Sequence, residues 1–143
     1  MLFLLIGIPA HAACTVTTTG VSFGAYDVFT AVPRDTTGTV TVSCTNNQRV
    51  PIVVSIGASP TSGGFNPRQM LHVSPTDRLN YNLYTTSSMA TVWGNGSAGT
   101  STVLLNNVRR NRPVITTIYG RIPTGQNVSI GAYTESLTVT ITP

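Results

Sequence analysis

Apolar residues recur at every second position along most of this chain, and nowhere do they keep a 3.6-residue spacing over ten or more positions. The pattern predicts strands and loops without helices. Over Gly38–Thr45, Val40, Val42 and Cys44 fall on one face and Thr39, Thr41, Ser43 and Thr45 on the other, as in a half-buried antiparallel strand. Asn46 to Arg49 then makes a turn, and Ile52, Val54 and Ile56 line one face of the next strand, which ends by Gly57 and enters past Pro51. Tyr133–Thr142 is the clearest strand, with Leu137, Val139 and Ile141 alternating against Ser136, Thr138, Thr140 and Thr142. Shorter strands are predicted at Cys14–Thr19, Val21–Gly24, Arg78–Thr85, Ser101–Leu105 and Val114–Ile122. Ala25–Asp35, Ser59–Pro67 and Pro123–Gly131 read as loops, and Val92 to Gly96 reads as a strand end entering a type I′ turn at Asn95-Gly96. About seven or eight short strands in one domain predict an all-β, immunoglobulin-like antiparallel β-sandwich.

The 143 residues suffice for one domain with its own core. Only 8% are charged, and Thr is the commonest residue, so the predicted surface is hydroxylic rather than ionic. The formal charge of +4 arises from eight Arg and no Lys against Asp27, Asp35, Asp77 and Glu135. Arg109, Arg110 and Arg112 form the one basic cluster, too short and too poor in aromatics for nucleic acid; a solvated loop, or contact with an acidic partner, is the better reading.

Leu2 to Ile8 is apolar and is followed by Pro9 and the small-residue pattern Ala10-His11-Ala12. Residues 1–13 are therefore expected to be an export signal cleaved after Ala12 or Ala13, and 14–143 the β-sandwich domain. No Lys or Arg follows Met1, so the basic start of such a signal is weak or lies upstream. No stretch approaches the roughly 20 apolar residues of a membrane-spanning helix, and no transmembrane anchor is expected.

Cys14 and Cys44 are the two cysteines, and in an exported chain an even pair is most simply a disulfide. A metal site would need more ligands than His72 and these cysteines supply, and His72 is the one histidine beyond the leader available to activate a nucleophile. Four scattered acids do not form a glycosidase pair by pattern. No catalytic residue, metal or cofactor is predicted. Among the aromatics, Tyr81 is in phase with the core and its hydroxyl is expected at the rim. Tyr84 is out of phase, and together with Trp93 it is a candidate exposed contact surface.

The segments Cys14-Thr-Val, Val21-Ser-Phe-Gly-Ala-Tyr26, Thr39-Val-Thr-Val-Ser-Cys44, Arg78-Leu-Asn-Tyr-Asn-Leu-Tyr84, Val92-Trp-Gly94, Tyr119-Gly-Arg-Ile-Pro123 and Gly131-Ala-Tyr133 occur in this order ahead of Leu137-Thr-Val-Thr-Ile141. Together they resemble a spore coat protein U domain, a family that includes spore coat proteins and pilins of archaic chaperone-usher systems. The resemblance implies an incomplete sandwich whose groove accepts a strand first from a periplasmic chaperone and then from another subunit delivered by an usher. It places Leu137, Val139 and Ile141 on one wall of that acceptor groove and Val16 on the other. The implied product is a pilus, fimbrium or coat at the cell surface. Cys14 follows the leader without a donor extension, which would make the chain terminal or tip-like. The alternative is a free-standing secreted adhesive or lectin-like module with a complete fold.

Overall fold

The computed structural model describes residues 3–9, 14–29, 31–74 and 77–142, and among these every regular element is a strand. β1 (Phe3–Pro9) precedes β2 (Cys14–Thr19), β3 (Arg34–Cys44), β4 (Ile52–Ile56) and β5 (Arg68–His72). They are followed by β6 (Arg78–Tyr84), β7 (Val103–Leu105), β8 (Val114–Ile122) and β9 (Tyr133–Thr142). β2, β3, β8 and β6 pair antiparallel in that order, and β9, β4 and β7 form a second antiparallel group. β5 joins the two, pairing β6 from Arg68↔Tyr81 to Leu71↔Arg78 and β9 at Leu71↔Thr134 and His72↔Tyr133. The hydrogen-bonded path is therefore continuous and folds over on itself to enclose one core, as an immunoglobulin-like sandwich does.

Alternation builds that core. Val40, Val42 and Cys44 of β3, Ile52, Val54 and Ile56 of β4, Leu79, Tyr81 and Leu83 of β6, and Leu137, Val139 and Ile141 of β9 are all buried in one cluster. Each such side chain contributes roughly 1.5–3 kcal/mol on leaving water. Cys14 and Cys44 stand opposite each other in the β2–β3 register and are disulfide-bonded. Gly120 occupies an inward position of β8 because Val21 and Phe23 press against its backbone: a Cβ there would stand 2.8 Å from both Phe23 Cζ and Val21 Cγ1.

The structure corrects several sequence expectations. Val21–Gly24 is not a ladder strand; Val21 and Phe23 are buried, but the chain turns at Gly24 with φ +73°. β3 begins at Arg34 rather than Gly38, since Arg34 to Thr37 pair with Ile122 to Tyr119 despite being polar on both faces. β5 lies between the predicted loop Ser59–Pro67 and the predicted strand at Arg78, where no element is expected from the sequence. The turn at Asn95-Gly96 is not type I′, which needs positive φ at both central residues. Only Gly96 is positive (φ +90°), and Asn95 Oδ1 instead accepts from the Ser97 N–H and Oγ at 3.0 and 2.6 Å.

Candidate functional site

β9 carries the proposed groove wall, and its alternation explains its geometry. Tyr133, Glu135, Leu137, Val139 and Ile141 point into the core, while Thr134, Ser136, Thr138 and Thr142 face solvent. One edge of β9 pairs β4 from Ile56↔Val139 to Val53↔Thr142. The other edge is taken by β1, which runs parallel to β9 from Phe3↔Glu135 to Pro9↔Ile141. β1 also lies against β2, so the segment sits between β9 and β2. Val16 is buried on β2, and the disulfide holds that strand to β3 at the Cys14 end. The structure thus brings Val16, Leu137, Val139 and Ile141 to the two strands flanking β1. The export-signal reading covers this same segment; its cleavage pattern, Ala10 to Ala13, lies outside the described residues.

Two buried polar groups support this wall, and both escaped the sequence reading. Glu135 is 7% exposed and accepts from Tyr81 OH and Ser59 Oγ, both at 2.5 Å, and from the Thr61 N–H at 3.2 Å. Its phase with Leu137, Val139 and Ile141 was the available signal. The Tyr81 hydroxyl is buried against this carboxylate rather than at the rim, and desolvation, reinforced by Glu135, pushes its pKa well above the ordinary tyrosine value. Arg68 is fully buried and donates to Ile56 O, Gly57 O, Trp93 O and Asn82 Oδ1 at 2.8–3.2 Å, tying β5 to the end of β4, the Trp93 segment and β6.

Trp93 is not an exposed contact residue: it is fully buried and its Nε1–H donates to Val54 O at 3.0 Å, so the indole fills the core beneath β4. Tyr84 is half-buried at the end of β6, opposite Tyr119, and this desolvation raises its pKa. His72 accepts from the Ser74 N–H at Nδ1 (2.9 Å) and lies 3.1 Å from Ile130 O through Nε2, so backbone groups occupy both ring nitrogens. Asp35 forms a bidentate pair with Arg121 at 2.7 and 2.8 Å. Among the described residues no cluster of three His, Cys, Asp or Glu could hold a metal ion, and no helix is long and apolar enough to cross a membrane.

The spore coat protein U domain matches residues 3–140, a stretch that includes β1. Protein U of Myxococcus xanthus is 35% identical over 129 residues, covering 85% of this chain and 70% of that protein. The chain belongs to the spore coat protein U domain family, whose members are structural components of surface coats rather than enzymes.

Proposed function

We propose that this protein is a non-catalytic subunit of a surface pilus or coat, assembled by β-strand addition to the edge of β9 opposite β4. One observation carries the reading: the edge opposite β4 is filled by a short extended N-terminal segment, Phe3–Pro9, lying parallel to β9. With residues 1–13 removed as the export signal, β9 and β2 would flank an open groove with unpaired main-chain donors and acceptors along one side. An apolar strand from a periplasmic chaperone would occupy it during passage to the usher, and a strand from another subunit afterwards. Main-chain hydrogen bonds would provide affinity, and alternate side chains would fill the space above Leu137, Val139 and Ile141.

The test is periplasmic expression of residues 14–143 with and without a co-expressed chaperone of this class. Aggregation relieved by the chaperone supports the reading. A soluble monomer that unfolds cooperatively without any partner would replace it with the free-standing adhesive module. That second reading draws on Phe29 and Val32, 91% and 65% exposed in the loop before β3, which would offer an apolar contact surface.

A further inference from the structure

We propose that the end of the molecule bearing Cys44 is a binding site for an acidic polysaccharide of the polyuronate class. This inference rests on that end alone and holds whichever strand fills the β9 edge.

The charges are segregated along the strands. β3 runs from Arg34 at one end to Cys44 at the other. Asp35 lies at the Arg34 end, paired with Arg121, and Asp27 precedes it in the loop whose Tyr26 bridges Gly131. Asp77 accepts from the His72 N–H beside Tyr133, and Glu135 follows two residues on, so all four acids share that end. Arg34, Arg68, Arg78 and Arg121 lie there too, and four arginines against four carboxylates cancel. The remaining four, Arg49, Arg109, Arg110 and Arg112, sit around Cys44 and carry the whole formal charge of +4.

The basic loop is held in one shape. Val108 is fully buried and its carbonyl accepts from the Gln48 N–H at 2.8 Å. The Arg110 N–H donates to Asn47 Oδ1 at 2.8 Å and the Asn111 N–H to Cys44 O at 3.0 Å, next to the disulfide. Asn107 and Asn111 both adopt φ +56°, a conformation that L residues populate at a cost and keep where the surroundings enforce it. Arg109, Arg110 and Arg112 line a cavity of about 390 Å³ with Asn47. Among the described residues, their guanidinium groups have no hydrogen-bond or ion-pair partner. Like charges gathered on a rigid loop repel one another, and a bound anion removes the repulsion.

The surrounding side chains select the anion. Asn46, Asn106, Asn107 and Asn111 are exposed around the arginines, and their amides both donate to and accept from hydroxyl groups. Guanidinium forks match carboxylates and amides match sugar hydroxyls, which together describe a uronate chain. No aromatic side chain lines the cavity, so the stacking that single-stranded nucleic acids use is missing from it.

Titration calorimetry of the full chain with a polygalacturonate oligomer tests the proposal. Binding should appear at low ionic strength and weaken steeply with added salt. The triple variant Arg109→Ser, Arg110→Ser, Arg112→Ser should bind about tenfold or more weakly with a melting temperature no lower than the parent's, since the three side chains are exposed and their mutual repulsion is removed. Neutral dextran should give no heat. The proposal is overturned if polygalacturonate does not bind or the triple variant retains its affinity. Equal binding of dextran, or tighter binding of oligothymidylate of matched charge, overturns it as well.

Discussion

Replacing Arg68 by Met sets two opposing effects against each other. The guanidinium is fully buried without a carboxylate in contact, and desolvation draws its pKa down to about 10 from the ordinary 12.5. At 1.36 kcal/mol per unit, burying the charge costs about 3 kcal/mol, and Met removes that cost. Against it, Ile56 O, Gly57 O and Trp93 O each lose a charged donor at 2.8–3.2 Å. Asn82 Oδ1 loses one too but keeps the Leu83 N–H. A buried acceptor left without a partner costs about 1–3 kcal/mol, so three cost roughly 3–9. The difference spans about 0–6 kcal/mol, and from its middle Arg68→Met should lose about 3 kcal/mol. Arg68→Lys should lose at least as much, because one ammonium cannot span the three carbonyls and Asn82 together. Urea denaturation followed by the fluorescence of Trp93, the chain's single tryptophan and a direct neighbour of the guanidinium, reads both variants. A lowered midpoint with an unchanged slope is expected. An Arg68→Met protein as stable as the parent would show that an apolar replacement outweighs the hydrogen-bonded cation, and would refute the reasoning.

Three further outcomes follow from the geometry. The double variant Cys14→Ser, Cys44→Ser, which opens a loop of 30 residues, should lose about 3–4 kcal/mol in the same denaturation, and the intact protein should be two hydrogens lighter than its reduced form by mass spectrometry. Tyr81→Phe removes a buried donor from the Glu135 carboxylate and should cost about 1.5–3 kcal/mol; an unchanged midpoint would mean that this hydrogen bond contributes nothing. The hydrogen bond from Arg121, opposed by slight burial, holds the Asp35 pKa below its ordinary 3.8. Its contribution is therefore complete above that value and lost as pH falls through the lower folded pKa. Because the pair is exposed, Asp35→Asn should cost at most about 1 kcal/mol at neutral pH and narrow the gap to the parent in melting scans below pH 3.8.

Strict alternation made part of this fold legible. Val114–Ile122 and Tyr133–Thr142 are read from the sequence with the bounds they have in the structure, and the inward phase of Cys44 with Val40 and Val42 marked the disulfide position. Polar residues at inward positions hid the rest. β5 escaped because its first inward side chain is Arg68, whose partners are carbonyls of distant segments that no local pattern reveals. Arg34 and Asp35 fall in the predicted loop Ala25–Asp35 although they belong to β3, because a strand held by ladder bonds need not alternate. Trp93 was misplaced because its neighbours Gly94-Asn95-Gly96 advertise an exposed turn, whereas the indole folds back under β4 to reach Val54 O. The Phe3–Pro9 segment shows a different ambiguity. A short apolar run satisfies the pattern of an export signal and, equally, that of a strand lying on an open edge.

Strand addition at β9 is tested most directly by a melting-temperature shift. Purified residues 14–143, refolded with the disulfide intact, would be heated with and without a synthetic peptide of Phe3–Pro9 carrying a solubilising Lys tail. A ligand at 100 times its dissociation constant stabilises the folded form by about 2.7 kcal/mol, which corresponds to a rise of roughly 10 °C for a domain of this size. That rise is expected, and so is its disappearance when Leu5 and Ile6 of the peptide are both replaced by Asp, since alternate residues of an added strand face the apolar wall. A domain that melts cooperatively at the same high temperature with either peptide or with none would contradict it.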